Sequence, residues 1–256
     1  MKNILTKVHI NNYTYLFLLI CFLSGYIKNI LIIFFICLIH EFGHVVLIKL
    51  FGYEINKIEL LPFGGITYIN KNINSSIYKD IIISFGGVIL QLFLYLFLFI
   101  NHINISNSSY NLFMYYNTVI LIFNLLPIIP LDGSKIVNLL LDKFLSFKTS
   151  YYINGVISFL FLLLFILINY LFNYDNYFIL VFLLYHLILY LKNFKYIFNK
   201  FLIERYLYNN PYRKIKYKTS QISDLRKEVY HYFNDSNKVV SEKKKLHDLF
   251  DKKTYF

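Results

Sequence analysis

Long apolar runs, separated by short polar segments, occupy most of this 256-residue chain before its last sixty residues or so. A helix needs about 20 consecutive apolar residues to cross a bilayer. The pattern therefore predicts an all-α polytopic membrane protein, whose first span is shorter than the others and is expected to be a retained helix. The predicted spans cover about residues 13–27, 30–50, 80–100, 112–130, 152–171 and 177–198.

Between the second and third spans, residues 53–71 follow a different pattern. Apolar positions alternate on either side of the turn Pro62–Gly65, which predicts a short membrane-associated β-hairpin. The edge of such a hairpin could receive an extended peptide as an added strand, although a plain cytoplasmic hairpin fits the pattern equally well. In the third span, the small residues of Ser84–Gly87 predict close helix packing, which would let that span approach the second one.

Composition agrees with the spans, because 57% of the residues are hydrophobic and 20% are aromatic, which excludes an ordinary soluble domain. The lysines between spans predict the orientation, since cytoplasmic loops carry the excess of Lys and Arg. The loops that would share a side with both termini hold most of them, and the opposite loops hold only Lys28. Both termini are therefore expected in the cytoplasm of a multi-pass cell-membrane protein.

Residues 200–256 form a basic tail that is distinct from the membrane domain predicted over residues 1–199; it has 14 Lys and Arg against 7 Asp and Glu. The positive-inside bias explains this charge most simply, and affinity for anionic lipid or for an acidic partner are the alternatives. No base-reading motif is present, so no nucleic-acid partner is expected. Leu225–Phe233 and Glu242–Phe250 have the spacing of amphipathic helices.

The second span contains the candidate chemistry, the pentapeptide His40-Glu41-Phe42-Gly43-His44. Residues four apart lie on one face of a helix, so both imidazoles can bind one Zn²⁺ while Glu41 acts on a bound water. A solvated helix face could carry the same pattern. Here the flanking residues are apolar, and ionisable groups at bilayer depth are costly and mark functional sites, which favours metal binding.

A catalytic zinc site needs a third protein ligand, and Asp132 is the candidate. Pro127, Pro130 and Gly133 interrupt the apolar pattern around it, and a second helical stretch is predicted beyond them. Broken helices at bilayer depth are tolerated where they line a cavity. The alternative is that Asp132 caps the N-terminus of the second stretch, and the two roles are compatible.

On these residues the chain resembles the site-2 proteases, zinc metalloproteases that cleave substrates within or beside the membrane. The resemblance rests on His40–His44 and on Asn124–Gly133, and it covers roughly residues 10–200. A six-span form with a cytoplasmic tail looks most like the sporulation branch of this family. That branch implies a membrane-associated substrate, a sigma-factor precursor, and small membrane proteins that inhibit the enzyme. The tail would be a reduced cystathionine-β-synthase-like segment, too short for a complete paired module.

The resemblance also implies roles for individual residues. His40, His44 and Asp132 would bind one zinc ion per chain, with Glu41 as general base and later proton donor. The residues implied in substrate positioning are Asn124, Pro130, Phe63, Gly64 and Gly65.

Three other functions remain as alternatives. The chain could be a site-2 protease that acts on signal peptides or anti-sigma factors, a zinc transporter, or an inactive membrane scaffold. Transporters commonly show repeated halves or His-rich loops, and neither is present. His186 and Gln91, polar groups inside predicted spans, are interpreted as structural residues.

Overall fold

The computed structural model describes residues 7–10, 14–15, 23, 25, 27–61, 64–100, 107–172, 177–208, 210, 212–235 and 238–251. These residues belong to two compact units. The first unit lies within Met1–Lys71 and Ile82–Leu125, and the second unit lies within Asn72–Ile81 and Leu126–Phe256.

The first unit is built on a long apolar helix, α1 (Ile27–Leu50). After the hairpin the chain enters α2 (Ile77–Ser84), whose last residues belong to this unit, and continues as α3 (Gly86–Ile100). A further helix, α4 (Asn107–Leu125), follows. The helix α1 packs against both α3 and α4, so the predicted zinc helix is the centre of this unit.

Backbone contact between two glycines sets the distance between α1 and α3. A Cβ atom on Gly43 would lie 2.2 Å from the carbonyl oxygen of Gly86, and one on Gly86 would lie 2.7 Å from that of Gly43. Neither position can hold a side chain without moving a helix. The close packing predicted from Ser84–Gly87 is therefore confirmed.

The predicted hairpin is also confirmed. Strand β2 (Glu54–Leu61) pairs antiparallel with β3 (Gly64–Asn70), with Glu54 opposite Asn70 and a register shift between Ile55 and Lys57. A short strand, β1 (Val8–Ile10), adds parallel to β2, so β3 is an edge strand of the described sheet. Apolar side chains of α1, β2 and α2 form a buried cluster beneath it: Val45, Ile48, Ile55, Ile58 and Ile83.

The second unit contains α5 (Asp132–Phe144), α6 (Phe147–Phe172), α7 (Tyr177–Lys192) and α8 (Phe194–Leu207). The tail follows as a three-stranded sheet and a helix. Its elements are β4 (Lys214–Thr219), β5 (Val229–Asp235), β6 (Lys238–Ser241) and α9 (Glu242–Phe250). The core combines helices and tail: Phe147, Phe201, Leu202, Leu225, Phe233 and Leu246 are all buried in one cluster.

Three described helical stretches are long and apolar enough to cross a membrane: Ile27–Leu50, Ile77–Ile100 and Phe147–Leu171. The pair α7 and α8 makes a fourth if its 49° bend lies within one span. The first three stretches agree with the spans predicted at 30–50, 80–100 and 152–171, and the bent pair overlaps the span predicted at 177–198. The apolar stretch 112–130 is helical as far as Leu125 in α4, whose first half is rich in Asn, Ser and Tyr. Span 13–27 lies mostly outside the described residues, so a total of six spans remains a prediction.

One tail prediction is wrong and the other is confirmed. Leu225–Phe233 is not a helix, because a 3₁₀ turn at Ile222–Asp224 precedes it and β5 occupies its second half. Along β5, His231 and Phe233 are buried while Tyr230 and Tyr232 are half-exposed, which is strand alternation. A nine-residue segment was too short to distinguish the two periods. Glu242–Phe250 is helical, as predicted.

A buried ion pair anchors the tail to α8. The guanidinium of Arg205 donates from Nε to Glu242 Oε1 at 2.5 Å and from Nη2 to Glu242 Oε2 at 2.8 Å, and both side chains are at most 1% exposed. Arg205 also donates to the carbonyl oxygens of Arg226 and Val229 and to Asn74 Oδ1. This one side chain therefore joins α8, the tail and the segment before α2.

We expect Arg205→Met to destabilise the second unit by about 3–5 kcal/mol, because it leaves the Glu242 carboxylate buried without its cation. Thermal unfolding in detergent micelles measures the effect. The control is Lys200→Met, which removes an exposed partner of Glu204 at 3.9 Å and should cost about 1 kcal/mol or less. The double variant Arg205→Met/Glu242→Leu should recover part of the loss. Equal effects of the two single variants would contradict this role of the pair.

A second buried tail residue, His231, has no exposed surface. Its Nε2 accepts a hydrogen bond from the backbone N–H of Arg226, and its Nδ1 lies 2.8 Å from Thr219 Oγ1. These contacts suit a neutral ring. Burial, reinforced by the nearby cations, lowers the pKa of His231 from 6.5 to about 4.

The stability of the second unit should therefore depend on pH. The contribution of His231 is complete above pH 6.5 and is lost as the pH falls toward 4, because the unfolded chain binds a proton that the folded sheet excludes. Unfolding midpoints of the wild type and His231→Gln across this range measure the effect, since contributions from other groups cancel in the difference. A difference that does not change with pH would show that His231 titrates normally.

Candidate metal centre

The two motif histidines lie one turn apart on α1 with their rings close together. His40 is 6% exposed and His44 is 7% exposed, and their ring centroids are 4.9 Å apart. The two Nε2 atoms approach to 3.2 Å. The predicted pair of imidazoles therefore converges on one point inside the first unit.

The partners of the other ring nitrogens indicate why the Nε2 atoms converge. His44 Nδ1 lies 2.7 Å from the carbonyl oxygen of Ile83, which can only accept, so Nδ1 carries the proton. His40 Nδ1 lies 2.8 Å from Gln91 Oε1 and donates to it in the same way. In neutral rings the proton is then on Nδ1, and each Nε2 presents a lone pair.

Two lone pairs that face each other at this distance fit a shared cation. Zinc–nitrogen distances of about 2.0–2.1 Å at a tetrahedral angle separate two imidazole nitrogens by about 3.4 Å. The observed separation is 3.2 Å. A direct hydrogen bond between the two nitrogens would need a proton on one of them, which the Nδ1 contacts disfavour. The pair therefore fits zinc.

Glu41, the candidate general base, faces the hairpin. Thr67 of β3 donates from Oγ1 to Glu41 Oε1 at 2.9 Å. Two residues earlier in the same strand, a Cβ atom on Gly65 would lie 2.7 Å from Glu41 Cγ. The absence of a side chain at Gly65 lets β3 lie directly against the carboxylate. Gly65, predicted to position substrate, therefore contacts Glu41. Gly64 begins β3, and Phe63 lies outside the described residues.

Gly87 of α3 leaves room for the His40 ring. A Cβ atom at this position would lie 2.3 Å from His40 Cε1 and 2.4 Å from Nε2. The imidazole therefore occupies the space that any other residue would fill with its side chain. The predicted role of Ser84–Gly87 in packing extends in this way to a direct contact with a candidate ligand.

In the second unit, Asp132 is buried and begins α5 directly after the proline-containing break. Its Oδ1 accepts from Lys135 Nζ at 2.9 Å. Leu131, not Asp132, occupies the N-cap position, and no side chain caps the helix, so the N-cap alternative is not supported. Asn124 lies at the end of α4, and Pro130 lies in the turn before α5. Their roles in substrate positioning stay predictions.

His40, His44 and Asp132 are all buried, and each offers one metal-ligating atom. Two imidazoles and a carboxylate form a donor set that is compatible with catalytic zinc. This is the set predicted from the sequence.

Sequence reasoning missed the partners of the candidate site. Gln91, a structural residue by its sequence pattern, contacts His40, and Thr67, which no sequence pattern marks, contacts Glu41. An amide inside an apolar span was the available signal for Gln91. His186 is half-buried against the rings of Phe182 and Tyr185, and this agrees with a structural role.

A histidine pair that fits zinc inside an apolar helix, with a carboxylate on the next residue, is typical of membrane metalloproteases. The model of Peptidase family M50 matches residues 28–107 and 100–167, which together are more than half of the chain. The chain belongs to this family.

Two relatives and one solved structure agree with this assignment. The chain is 30% identical over 213 residues to Stage IV sporulation protein FB of Bacillus subtilis, covering 81% of this chain and 74% of that protein. It is 29% identical over 118 residues to Zinc metalloprotease MJ0392 of Methanocaldococcus jannaschii, covering 44% of this chain and 34% of that protein. The structure of the Site-2 Protease from Methanocaldococcus jannaschii shares the fold, with a TM-score of 0.55 and 24% identity over 70% of this chain and 88% of that chain.

We expect Gly87→Ala to lower zinc affinity by about tenfold or more, because the methyl group would occupy the position of the His40 ring. Competition with a chelator on detergent-purified protein measures the affinity. The control is Gly155→Ala in α6, where the added Cβ would lie 3.2 Å from the flexible end of Leu191. Unchanged affinity in a folded Gly87→Ala variant would show that His40 is not a ligand in this position.

Proposed function

We propose that this protein is an intramembrane zinc metalloendopeptidase that hydrolyses a peptide bond in or beside the membrane. The observation that carries the proposal is the arrangement on α1. Two buried Nε2 atoms converge at 3.2 Å, and the adjacent Glu41 carboxylate is fixed by Thr67. Membership of Peptidase family M50 supports the same chemistry.

In this proposal His40, His44 and Asp132 hold the zinc ion. The two imidazoles fit it by geometry, and Asp132 supports the set by its burial and by its place after the proline-containing break between α4 and α5. When bound, zinc supplies Lewis acidity, which makes water a better nucleophile and stabilises the negative charge that develops on the carbonyl oxygen.

Glu41 moves the protons. Because Thr67 donates to Oε1, we assign the proton transfers to Oε2. This oxygen takes a proton from the attacking water and returns it to the nitrogen of the leaving amine. The hydrogen bond from Thr67 fixes the carboxylate orientation, which is what a general base needs to meet its proton at hydrogen-bonding distance.

The edge strand β3 is the proposed substrate platform. A peptide that added to this edge would be extended, so that its amides would be open to attack. Gly65 and Thr67 of the same strand contact Glu41, which supports a position for the scissile bond near this strand. Phe63 and Gly64 would contribute from the turn and the strand start, and Asn124 and Pro130 from the region of the broken span.

For the substrate, we propose a membrane-associated sigma-factor precursor processed during sporulation. The 30% identity to a protein named for sporulation supports this choice. The same proposal places the protein in the lipid bilayer with both termini in the cytoplasm. It also includes a membrane protein that inhibits the enzyme. Other membrane substrates, such as signal peptides and anti-sigma factors, are the alternative within the protease class. In a zinc transporter or an inactive scaffold, the oriented carboxylate of Glu41 would have no function.

The test is co-expression of the protein with a panel of membrane-tethered candidates that includes a sigma-factor precursor. We expect Glu41→Gln to keep its zinc and to lower product formation by at least about 100-fold, because the general base is lost. The matched control is Glu54→Gln at the exposed start of β2, which should behave as the wild type. Size-shifted products on gels and the zinc content of the purified protein are the readouts.

Each outcome has a defined meaning. Cleavage by Glu41→Gln at the wild-type rate would show that the base is another residue. Cleavage of a different panel member alone would keep the chemistry and reject the sigma-factor substrate. A zinc-loaded wild type that cleaves nothing would reject the protease proposal for these substrates.

A further inference from the structure

A chain of buried amides connects α4 to His40 through α3. Gln91 Oε1 lies 2.8 Å from His40 Nδ1, and Gln91 Nε2 donates to Asn117 Oδ1 at 3.3 Å. Asn117 Nδ2 in turn donates to the backbone carbonyl oxygen of Gln91 at 3.5 Å. Gln91 and Asn117 have no exposed surface, so water does not reorient their amides.

The direction of every hydrogen bond in this chain follows from one backbone carbonyl. The Gln91 backbone oxygen can only accept, so Asn117 must direct its NH₂ group toward it. Asn117 Oδ1 then faces the Gln91 side chain and can only accept as well. Gln91 must therefore direct its NH₂ group at Asn117, and its Oε1 faces His40.

The last step fixes the proton on His40. An oxygen at 2.8 Å from Nδ1 requires that Nδ1 carries the hydrogen, so Nε2 has the lone pair. If Gln91 were reversed, its NH₂ group would face Nδ1 and would favour the proton on Nε2. That tautomer cannot bind a metal through Nε2. The orientation of Asn117 therefore decides the tautomer of His40.

His44 reaches the same state by a simpler route. Its Nδ1 lies 2.7 Å from the carbonyl oxygen of Ile83, which can only accept a hydrogen bond. An amide, unlike a carbonyl or a carboxylate, has one donor end and one acceptor end. Gln91 therefore needs a second group to orient it, and Asn117 is placed to do so without adding a charge inside the helices.

We propose that Asn117 and Gln91 are positioning residues that hold His40 in its metal-binding tautomer. The inference rests on the proposed function, since it takes His40 as a zinc ligand. It adds two residues, on α3 and α4, that act on the metal only through His40. Groups that orient metal ligands in this way typically contribute 10–100-fold to metal affinity or activity.

The first test needs no metal. Two-bond ¹H–¹⁵N NMR spectra of ¹⁵N-histidine-labelled, zinc-free protein report which nitrogen carries the proton, and His40→Asn assigns the signal. We expect His40 with the proton on Nδ1 in the wild type, and a mixture of tautomers in Asn117→Leu. A wild-type His40 with its proton on Nε2 would contradict the positioning role of Gln91 and Asn117, whatever the zinc affinity.

The second test is zinc affinity by chelator competition. We expect Gln91→Leu to lower it by about 10–100-fold, and Gln91→Glu, which keeps an acceptor at Nδ1, to restore much of the loss. Asn117→Leu should also weaken binding. The matched control is Asn154→Leu, the same change at a buried asparagine of α6 in the second unit, with no change expected.

The two tests separate the possible failures. A folded wild type that binds no zinc would reject the proposed function. The NMR result would then still test whether Gln91 and Asn117 set the tautomer of His40. Normal zinc affinity in folded Gln91→Leu and Asn117→Leu would reject the positioning role of these two residues and leave the metalloprotease proposal intact.

Discussion

The close approach of α1 and α3 at Gly43 and Gly86 is the constraint on which the candidate metal centre depends. Because the two helix backbones are in contact at this crossing, residues of α3 and of the segment just before it lie close enough to bond to both histidines. They supply the carbonyl of Ile83 to His44 and the amide of Gln91 to His40. In an apolar helix these protein groups take the place that water has in a soluble enzyme, because a buried polar group needs a partner.

The two candidate roles on α1 are supported from different directions. The histidines are oriented by helices, while Glu41 is oriented by β3, through the hydrogen bond from Thr67 and the close contact with Gly65. A metal ligand must keep one geometry, and rigid helices suit that task. A general base, the role proposed for Glu41, must meet a substrate, and the edge strand β3 is where the proposed function places an extended peptide. Under that proposal, the strand that receives the substrate is also the strand that holds Glu41, and both lie within a single unit.

Much of this was predictable, because it depends on short-range periodicity. The spacing of His40 and His44 places them on one helix face, and the alternation around the glycine-containing turn predicts the hairpin. The partners were not predictable. Gln91 and Asn117 are 26 residues apart in the sequence, and a lone amide in each predicted span does not reveal which group it contacts. The sequence did not predict the strands β1 and β5 (Val229–Asp235) for a related reason. Each forms by pairing with a segment that is distant in the sequence.

The burial of Arg205 bears on how relatives of this protein can diverge. Its guanidinium projects from α8 and donates hydrogen bonds to the tail and to Asn74. Phe147, at the start of α6, lies in the same core as the tail residues Leu225 and Leu246. A different tail could not simply be joined after α8, because it would have to supply a carboxylate for Arg205 and an apolar surface for Phe147. Exchange of this segment by recombination would therefore succeed only when the end of the helical region is exchanged with it.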